Sequence, residues 1–322
     1  MEEKLLYHYC SNETMFSIVR GKQLWMADIS RSNDYSEMRI FRPGIFFAIE
    51  EEYEQDPFEF KFRGLMNLDA IRHLLMEVEK YLDNTQARGF LTSFVICFSE
   101  YGDTLSQWRG YANDGKGCSI GFSLQELQQY CKNHGNQIEI QKVKYISKTS
   151  LTEFQKTEAI NLLSGIQSLR SDATQLFSSS KLTDEQFEDG VYFLALRLFE
   201  NFVFRSLQYK WDSFKEEQEW RLYFMGISKD DKTLYEDLEK LPKWKTSLDQ
   251  GFSILHNRID FYIKGDCLVP YFPIILSEVS DNAIKKVYLG PKNNSYLQDM
   301  RLLFAKERLG SPEIIYSSIS YR

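Results

Sequence analysis

In the segment KWDSFKEEQEWRLYF, residues 210–224, the carboxylates Glu217 and Glu219 stand two apart and Arg221 follows at the same spacing. On a strand, alternation sets Glu217, Glu219, Arg221 and Tyr223 on one face and Trp220, Leu222 and Phe224 on the other. Carboxylates so placed can accept from hydroxyl groups or take a proton from a nucleophile. The plainer reading of Glu219 with Arg221 is a surface ion pair, which is common and weak. A second stretch, CFSEYGDTLSQWRGYANDGKGCSIGF (residues 97–122), carries Ser99 at a strand end, then Trp108, Arg109 and Tyr111 on a short polar helix. Trp108 and Tyr111, three apart, can share a helical face, whereas Arg109 points elsewhere. That face is either a wall that stacks on a planar ligand or simple helix packing. His8, on the first strand, completes the set, with a satisfied core or edge histidine as its plain alternative.

Other chemistries leave little trace. His8, His73, His134 and His256 are far apart and form no HxxxH or Cys/His pair, so no zinc site is expected. Asp34, Glu37, Glu217 and Glu219 could converge as hard oxygen ligands for magnesium, although no spacing demands it. There is no GxSxG, no GxGxxG and no P-loop, which removes the common hydrolases, dinucleotide-fold dehydrogenases and P-loop enzymes. YLGPKNN, residues 288–294, could hold an anion on backbone N–H groups beside Lys292, or be only a connection.

The elements that must position these groups follow from pattern. LLYHY alternates as a strand, Ser11 caps a helix striped by Met15, Ile18 and Val19, Gly21 stops it, and QLWMAD is the next strand. SRSNDYSE, residues 30–37, is a polar loop. Apolar positions 68, 71, 75, 78 and 82 predict a helix with His73 off its stripe. Strands FLTSFVICFS and GCSIGF flank the Trp108 helix, LQELQQYCKNHG is helical, and QIEIQKVKYI alternates as a half-solvated strand. Residues 150–210 read as a helical insertion or cover, whose longest helix opens at a Thr183–Gln186 capping box. IDFYIKG, KKVYLG and EIIYSSIS are further strands, and a Ser295–Gln298 capping box opens a late helix. Scattered, irregularly connected strands make the class α+β.

The chain has 322 residues, 43% hydrophobic and 15% aromatic, with a formal net charge of −7. Its core is therefore rich in rings, and no global basic field gathers nucleic acid, although a local patch such as Lys285, Lys286 and Lys292 could still dock one. Five widely spaced cysteines without a CxxC read as reduced thiols, and MEEKLLYHYC does not read as a signal peptide. The apolar stretch Val191–Phe204 is interrupted by Arg197, Glu200 and Asn201, so no membrane span is expected and the expected location is cytoplasmic.

LYHYCSNETMFSIVRGKQLWMADISRSNDYSE, VICFSEYGDTLSQWRGYANDGKGCSIGF, EQEWR, LVPYFPI and KKVYLGP resemble, in that order, a bacterial family catalogued as domain of unknown function twenty-nine seventy-one. The resemblance spans nearly the whole chain, with 150–200 least characteristic. The arrangement also resembles the ADP-ribosyltransferase superfamily, which carries a His or Arg on its first strand, a Ser or aromatic element on a middle strand and following helix, and a Glu, often in E-x-E, on a later strand. That resemblance implies a single domain over 1–322 with a mixed or antiparallel sheet core, flanking helices and a helical insertion. It implies NAD as substrate and no metal. His8 or the flanking Tyr9 would meet the adenosine ribose, Ser99 would line the pocket, Trp108 or Tyr111 would stack on nicotinamide, and Arg31 or Arg109 would pair with pyrophosphate. Glu219 would accept from the ribose 2′-hydroxyl and stabilise the ribosyl cation, with Glu217 orienting or deprotonating the acceptor. Ser99 departs from the superfamily pattern in being followed by Glu100 rather than by a Ser-Thr-Ser run. The implied activity is ADP-ribosyl transfer to an unknown macromolecule, or NAD hydrolysis, in a toxin or phage-defence effector held in check by an immunity or regulatory protein. A metal-dependent nuclease or phosphodiesterase using Asp34, Glu37 and Glu219, and a non-catalytic nucleotide-binding sensor module, are the alternatives.

Overall fold

The computed structural model describes residues 3–29, 44–62, 64–83, 91–134, 138–170, 194–195, 198, 204–227 and 258–321. The chain opens as expected with β1 (Leu5–Cys10), α1 (Asn12–Gly21) and β2 (Gln23–Asp28). The Thr14 N–H donates to Ser11 Oγ at 3.2 Å, and Lys22 ends α1 in the left-handed region at φ 54°. Next come α2 (Ile45–Gln55), a small hairpin of β3 (Lys61–Phe62) and β4 (Leu65–Met66), α3 (Asn67–Asp83) and β5 (Leu91–Ser99). Then follow α4 (Leu105–Tyr111), β6 (Cys118–Ser123), α5 (Leu124–Asn133), β7 (Ile138–Lys142), β8 (Lys144–Ile146), α6 (Leu151–Ser168) and β9 (Tyr209–Trp211). The last described elements are β10 (Glu219–Ile227), β11 (Asp260–Lys264), β12 (Cys267–Ile275), α7 (Leu276–Val279), β13 (Ile284–Leu289), α8 (Leu297–Glu307) and β14 (Glu313–Tyr316).

The main sheet is mostly antiparallel and forks at β5. One edge of β5 pairs with β10 from Ser99–Glu219 to Leu91–Ile227. Its other edge is shared: β2 pairs at Phe94 and Val95, whereas β1 pairs at Ser99 through Tyr7. One arm then runs β2, β12, β11 and the other β1, β6, β13, β14, with β7 outside β10. In this sheet β13 with β14 is the parallel pair, so the α+β class holds.

The pleat separates two faces. Leu6, Cys10, Phe94, Ile96, Phe98, Leu222 and Phe224 point into the larger core, together with buried residues of α1, α5 and α8. The opposite face carries Tyr9, Val95, Ser99, Glu219, Arg221 and Tyr223, all buried, beside α4 and residues 204–217. A second apolar core lies among α2, α3 and α6. Among the described residues this core is lined by α2, α3 and α6 with Leu194, Ala195, Leu198 and Tyr209, so part of it comes from inside 150–210 and part from 45–83.

Three local expectations need correction. Residues 210–224 are not one strand: β9 ends at Trp211, Asp212–Glu217 form a 3-10 turn, and Gln218 at φ 42° redirects the chain into β10. The expected strand QIEIQKVKYI breaks, over its described residues 138–146, into β7 and β8 around Val143. Tyr296, not Ser295, precedes α8, because the Ser295 N–H is already donated to Asn293 Oδ1 at 2.8 Å. The 30–37 loop, with Arg31, Asp34 and Glu37, and the Thr183–Gln186 capping box lie outside the described residues.

Candidate functional site

The two carboxylates of the E-x-E converge although they do not share a strand. Glu217 ends the 3-10 turn and Glu219 begins β10, and Lys210 on β9 reaches both: its Nζ donates to Glu217 Oε2 at 2.8 Å and to Glu219 Oε2 at 3.1 Å. Arg221, two residues along the same strand face, donates through Nε to Glu219 Oε1 at 2.7 Å and through Nη2 to Oε2 at 3.3 Å. The expected surface pair is thus a buried one, with Glu219 3% exposed and Arg221 1%. Burial alone would raise the Glu219 carboxyl, but the Arg221 guanidinium and the Lys210 ammonium overcome it and hold the group well below the usual carboxylate range. The Tyr145 hydroxyl on β8 accepts the Glu219 N–H at 2.9 Å and closes the far side.

Glu217 behaves differently. Burial raises its carboxyl, Lys210 opposes, and the Glu219 charge adds to the rise. Its second oxygen, Oε1, accepts from the Tyr111 hydroxyl at 2.8 Å, and the Tyr111 ring is 49% exposed. Burial first, and then the Glu217 charge, push the Tyr111 phenol up, so it stays a donor. Ser99 anchors the arrangement from behind: its Oγ donates to the Glu217 backbone carbonyl at 2.7 Å and accepts from the Tyr101 N–H at 3.3 Å. Together these groups form a carboxylate pair of unequal basicity with one member beside a half-exposed phenol, an arrangement suited to moving a proton.

The remaining candidates separate. Trp108 is fully buried, edge-on to Tyr9 with centroids 4.8 Å apart, and its Nε1 donates to Asp103 Oδ1 at 2.7 Å. Trp108 therefore packs, and its ring and that of Tyr111 do not form one stacking wall. Tyr9 shares that packing, with its hydroxyl donating to Tyr101 O at 2.8 Å and accepting from the Thr104 N–H at 3.0 Å. Arg109 is exposed, 5.9 Å from the Tyr321 ring. His8 alternates onto the other face, 6.1 Å from Phe98, and its Nδ1 lies 3.0 Å from Cys97 O. Burial lowers the His8 imidazole, and the Cys97 carbonyl partly offsets this. His8 thus sits at the fork where β1 leaves β5, apart from the carboxylate pair.

Lys210, Tyr145 and Asp103 were not singled out by the sequence. Lys210 is seven residues from Glu217, and only the 3-10 turn folds it back. Among the described residues no group of three or more His, Cys, Asp or Glu side chains is placed to hold a metal ion. The 288–294 loop spends its backbone donors internally: the Gly290 N–H on Gly117 O, the Lys292 N–H on Gly115 O and the Asn293 N–H on Gly290 O, while the Lys292 ammonium pairs with Asp114. It is a connection rather than an anion cradle. No described helix is long and apolar enough to cross a membrane.

Most of α4, its glycine-rich turn, β6 and the E-x-E segment fall inside one recognisable block: residues 107–222 match the model described as protein of unknown function (DUF2971). The match to DUF2971 is confined to that block. It begins at Gln107 and ends at Leu222, so Tyr111, Lys210, Glu217, Glu219 and Arg221 are all DUF2971 residues, whereas His8, Tyr9 and Ser99 lie outside the matched stretch. No curated protein and no solved structure matches the chain.

Proposed function

We propose that this protein is an NAD-consuming enzyme that transfers ADP-ribose to a macromolecule or to water, with Glu217 as its general base. The observation that carries the reading is the placement of Glu217: a carboxylate raised by burial, steadied by Lys210 and by the Tyr111 hydroxyl, beside a half-exposed phenol ring. Cleavage breaks the bond between ribose C1′ and the nicotinamide nitrogen, and nicotinamide leaves with the electron pair. The acceptor oxygen or nitrogen bonds to C1′ and its proton passes to Glu217. The ionised Glu219 lies behind Glu217 and contributes negative charge as the ribosyl cation develops. Its own oxygens are taken by Arg221 and Lys210, which favours a supporting role over contact with the ribose.

The test is incubation of the protein with NAD labelled in the adenylate and in the nicotinamide, with and without cell extract. Label transfer or nicotinamide release that disappears in Glu217→Gln supports the reading; absence of both in the wild-type protein overturns it. The internal saturation of Glu219 favours one second reading, a non-catalytic nucleotide-binding module, for which NAD would raise Tm without product. The metal-dependent reading is weaker, because the Lys210 ammonium lies between the two carboxylates where a divalent cation would have to sit.

A further inference from the structure

Among the described residues the main sheet ends at three strands, β7, β11 and β14. Large apolar side chains lie exposed on the β11 hairpin: Phe261 is 53% exposed, Ile263 75% and, across from it on β12, Leu268 60%. β7 carries none so exposed, and β14 only Tyr316. Alternation puts Phe261, Ile263 and Leu268 on the face that Met26 and Phe272 present to the larger core, so that face runs on past its cover to the β11 edge. An uncovered apolar edge is a template for another strand.

The backbone of β11 offers the matching hydrogen-bonding groups. Gly265, at φ 64°, and Asp266 close β11 onto β12 as a two-residue turn, with Lys264 paired to Cys267. Lys264 and Cys267 therefore exchange hydrogen bonds, and alternation along the antiparallel ladder turns the N–H and C=O of Phe261 and Ile263 away from β12. The Phe261 N–H accordingly donates to the Asp260 carboxylate, 2.8 Å from Oδ1, rather than to a neighbouring strand.

A second β11 running antiparallel fits these groups. Outward-facing residues must meet outward-facing residues, and the register centred on Tyr262 overlaps the whole of Asp260–Lys264. It sets Phe261 of each strand opposite Ile263 of the other, and Asp260 opposite Lys264. Asp260 and Lys264 are both exposed and opposite in charge. A two-fold axis therefore makes an attractive pair at each end of the seam and an apolar pair at each position inside it. The other ends lack this complementarity. Centred pairing would set Glu139 opposite Gln141 on β7, where Lys142 already holds Glu100, and Glu313 opposite Tyr316 on β14.

We propose that two copies of this chain join β11 to β11 across a two-fold axis and make one continuous sheet. The edge lies three pairings from β5 along its arm, so the proposal goes beyond the NAD reading and does not rest on it. The seam is short, and the dimer should form reversibly with concentration. Sedimentation equilibrium of the full chain at micromolar concentrations should show a monomer passing to twice the chain mass. Asp260→Lys sets lysine against lysine at both ends, and Lys264→Asp sets aspartate against aspartate, so each variant alone should dimerise about tenfold more weakly or worse. An equimolar mixture of the two should recover wild-type association, because every end pair is again opposite in charge. Mixing does not repair a damaged fold, so recovery identifies the pairing. Ile263→Pro removes an N–H that faces solvent in the monomer; it should leave the circular dichroism unchanged and the chain monomeric. A wild-type chain that stays monomeric overturns the proposal. So does a dimer that survives Ile263→Pro or both charge variants, or a mixture of folded charge variants that does not recover.

Discussion

Glu217 and Glu219 differ by two positions in sequence and by the sign of their displacement from an ordinary carboxylate, and the two substitutions to glutamine should therefore diverge. Glu219 is held low, so its ion pairs stabilise the fold above the ordinary glutamate pKa of about 4.3, and this stability is lost as pH falls below that value toward the folded one. Glu219→Gln strands a buried Arg221 and should cost about 3–5 kcal/mol in urea unfolding at pH 7, with a flatter dependence of Tm on pH in acid. Glu217 is raised, so it stays protonated into a range where a free glutamate is ionised, and its ionisation subtracts stability as pH rises. Glu217→Gln should accordingly keep or gain stability near neutral pH while losing NAD turnover. In the wild-type protein turnover should fall on an acid limb that lies above the ordinary glutamate range. An acid limb at or below that range would remove Glu217 from the role of base.

At the scale of elements, the site depends on how closely α4 and its turn approach β1. A Cβ added to Gly117 would lie 2.1 Å from Cys10 O and 3.0 Å from Ala112 O, and both neighbours are backbone, which cannot step aside. Gly117→Ala should force α4 away from β1, cost about 1–3 kcal/mol by overpacking alone, and expose Trp108, readable as a red shift of its fluorescence. Asp103 fixes the other end of that helix by accepting from Trp108 Nε1, Ser317 Oγ and both the N–H and Oγ of Ser318. These elements also show what a sequence can disclose. The Ser11 cap, the α1 stripe, β5 and the side-chain alternation of β10 were legible because each is set by spacing within a dozen residues. The E-x-E was legible as a pair but was placed on one strand, since nothing in WDSFKEEQ announces a 3-10 turn closed by a glutamine at positive φ. Trp108 and Tyr111 fit one helical face by spacing, yet one is core and the other rim. Burial there is decided by Tyr9 and Asp103, which arrive from other elements. Lys210 and the fork at β5 exist only once β9 and β1 have been brought alongside.

On the scale of the whole molecule, the helical core and the sheet core meet in the segment that carries Lys210. Glu158, on α6 and fully buried, accepts from Arg205 and from the Tyr209 hydroxyl at 2.7 Å, and Tyr209 is the residue before Lys210. The helical cover is thereby tied to the residue that bridges the two site carboxylates. Glu158→Ala should leave the Arg205 guanidinium without its anion and cost about 3–5 kcal/mol by urea unfolding. Glu50→Ala is the comparison: its pair with Arg72 joins α2 to α3 at the surface, with a 2.8 Å contact but a half-exposed arginine, and should cost only about 0.2–1 kcal/mol. Because Lys210 follows Tyr209 directly, Glu158→Ala should also loosen the ammonium from Glu217, raise that carboxyl further and move the acid limb of turnover to higher pH. Glu50→Ala should leave the limb in place. Equal stability losses in the two variants, or a limb that does not move in Glu158→Ala, would show that the helical core covers the sheet without positioning its site.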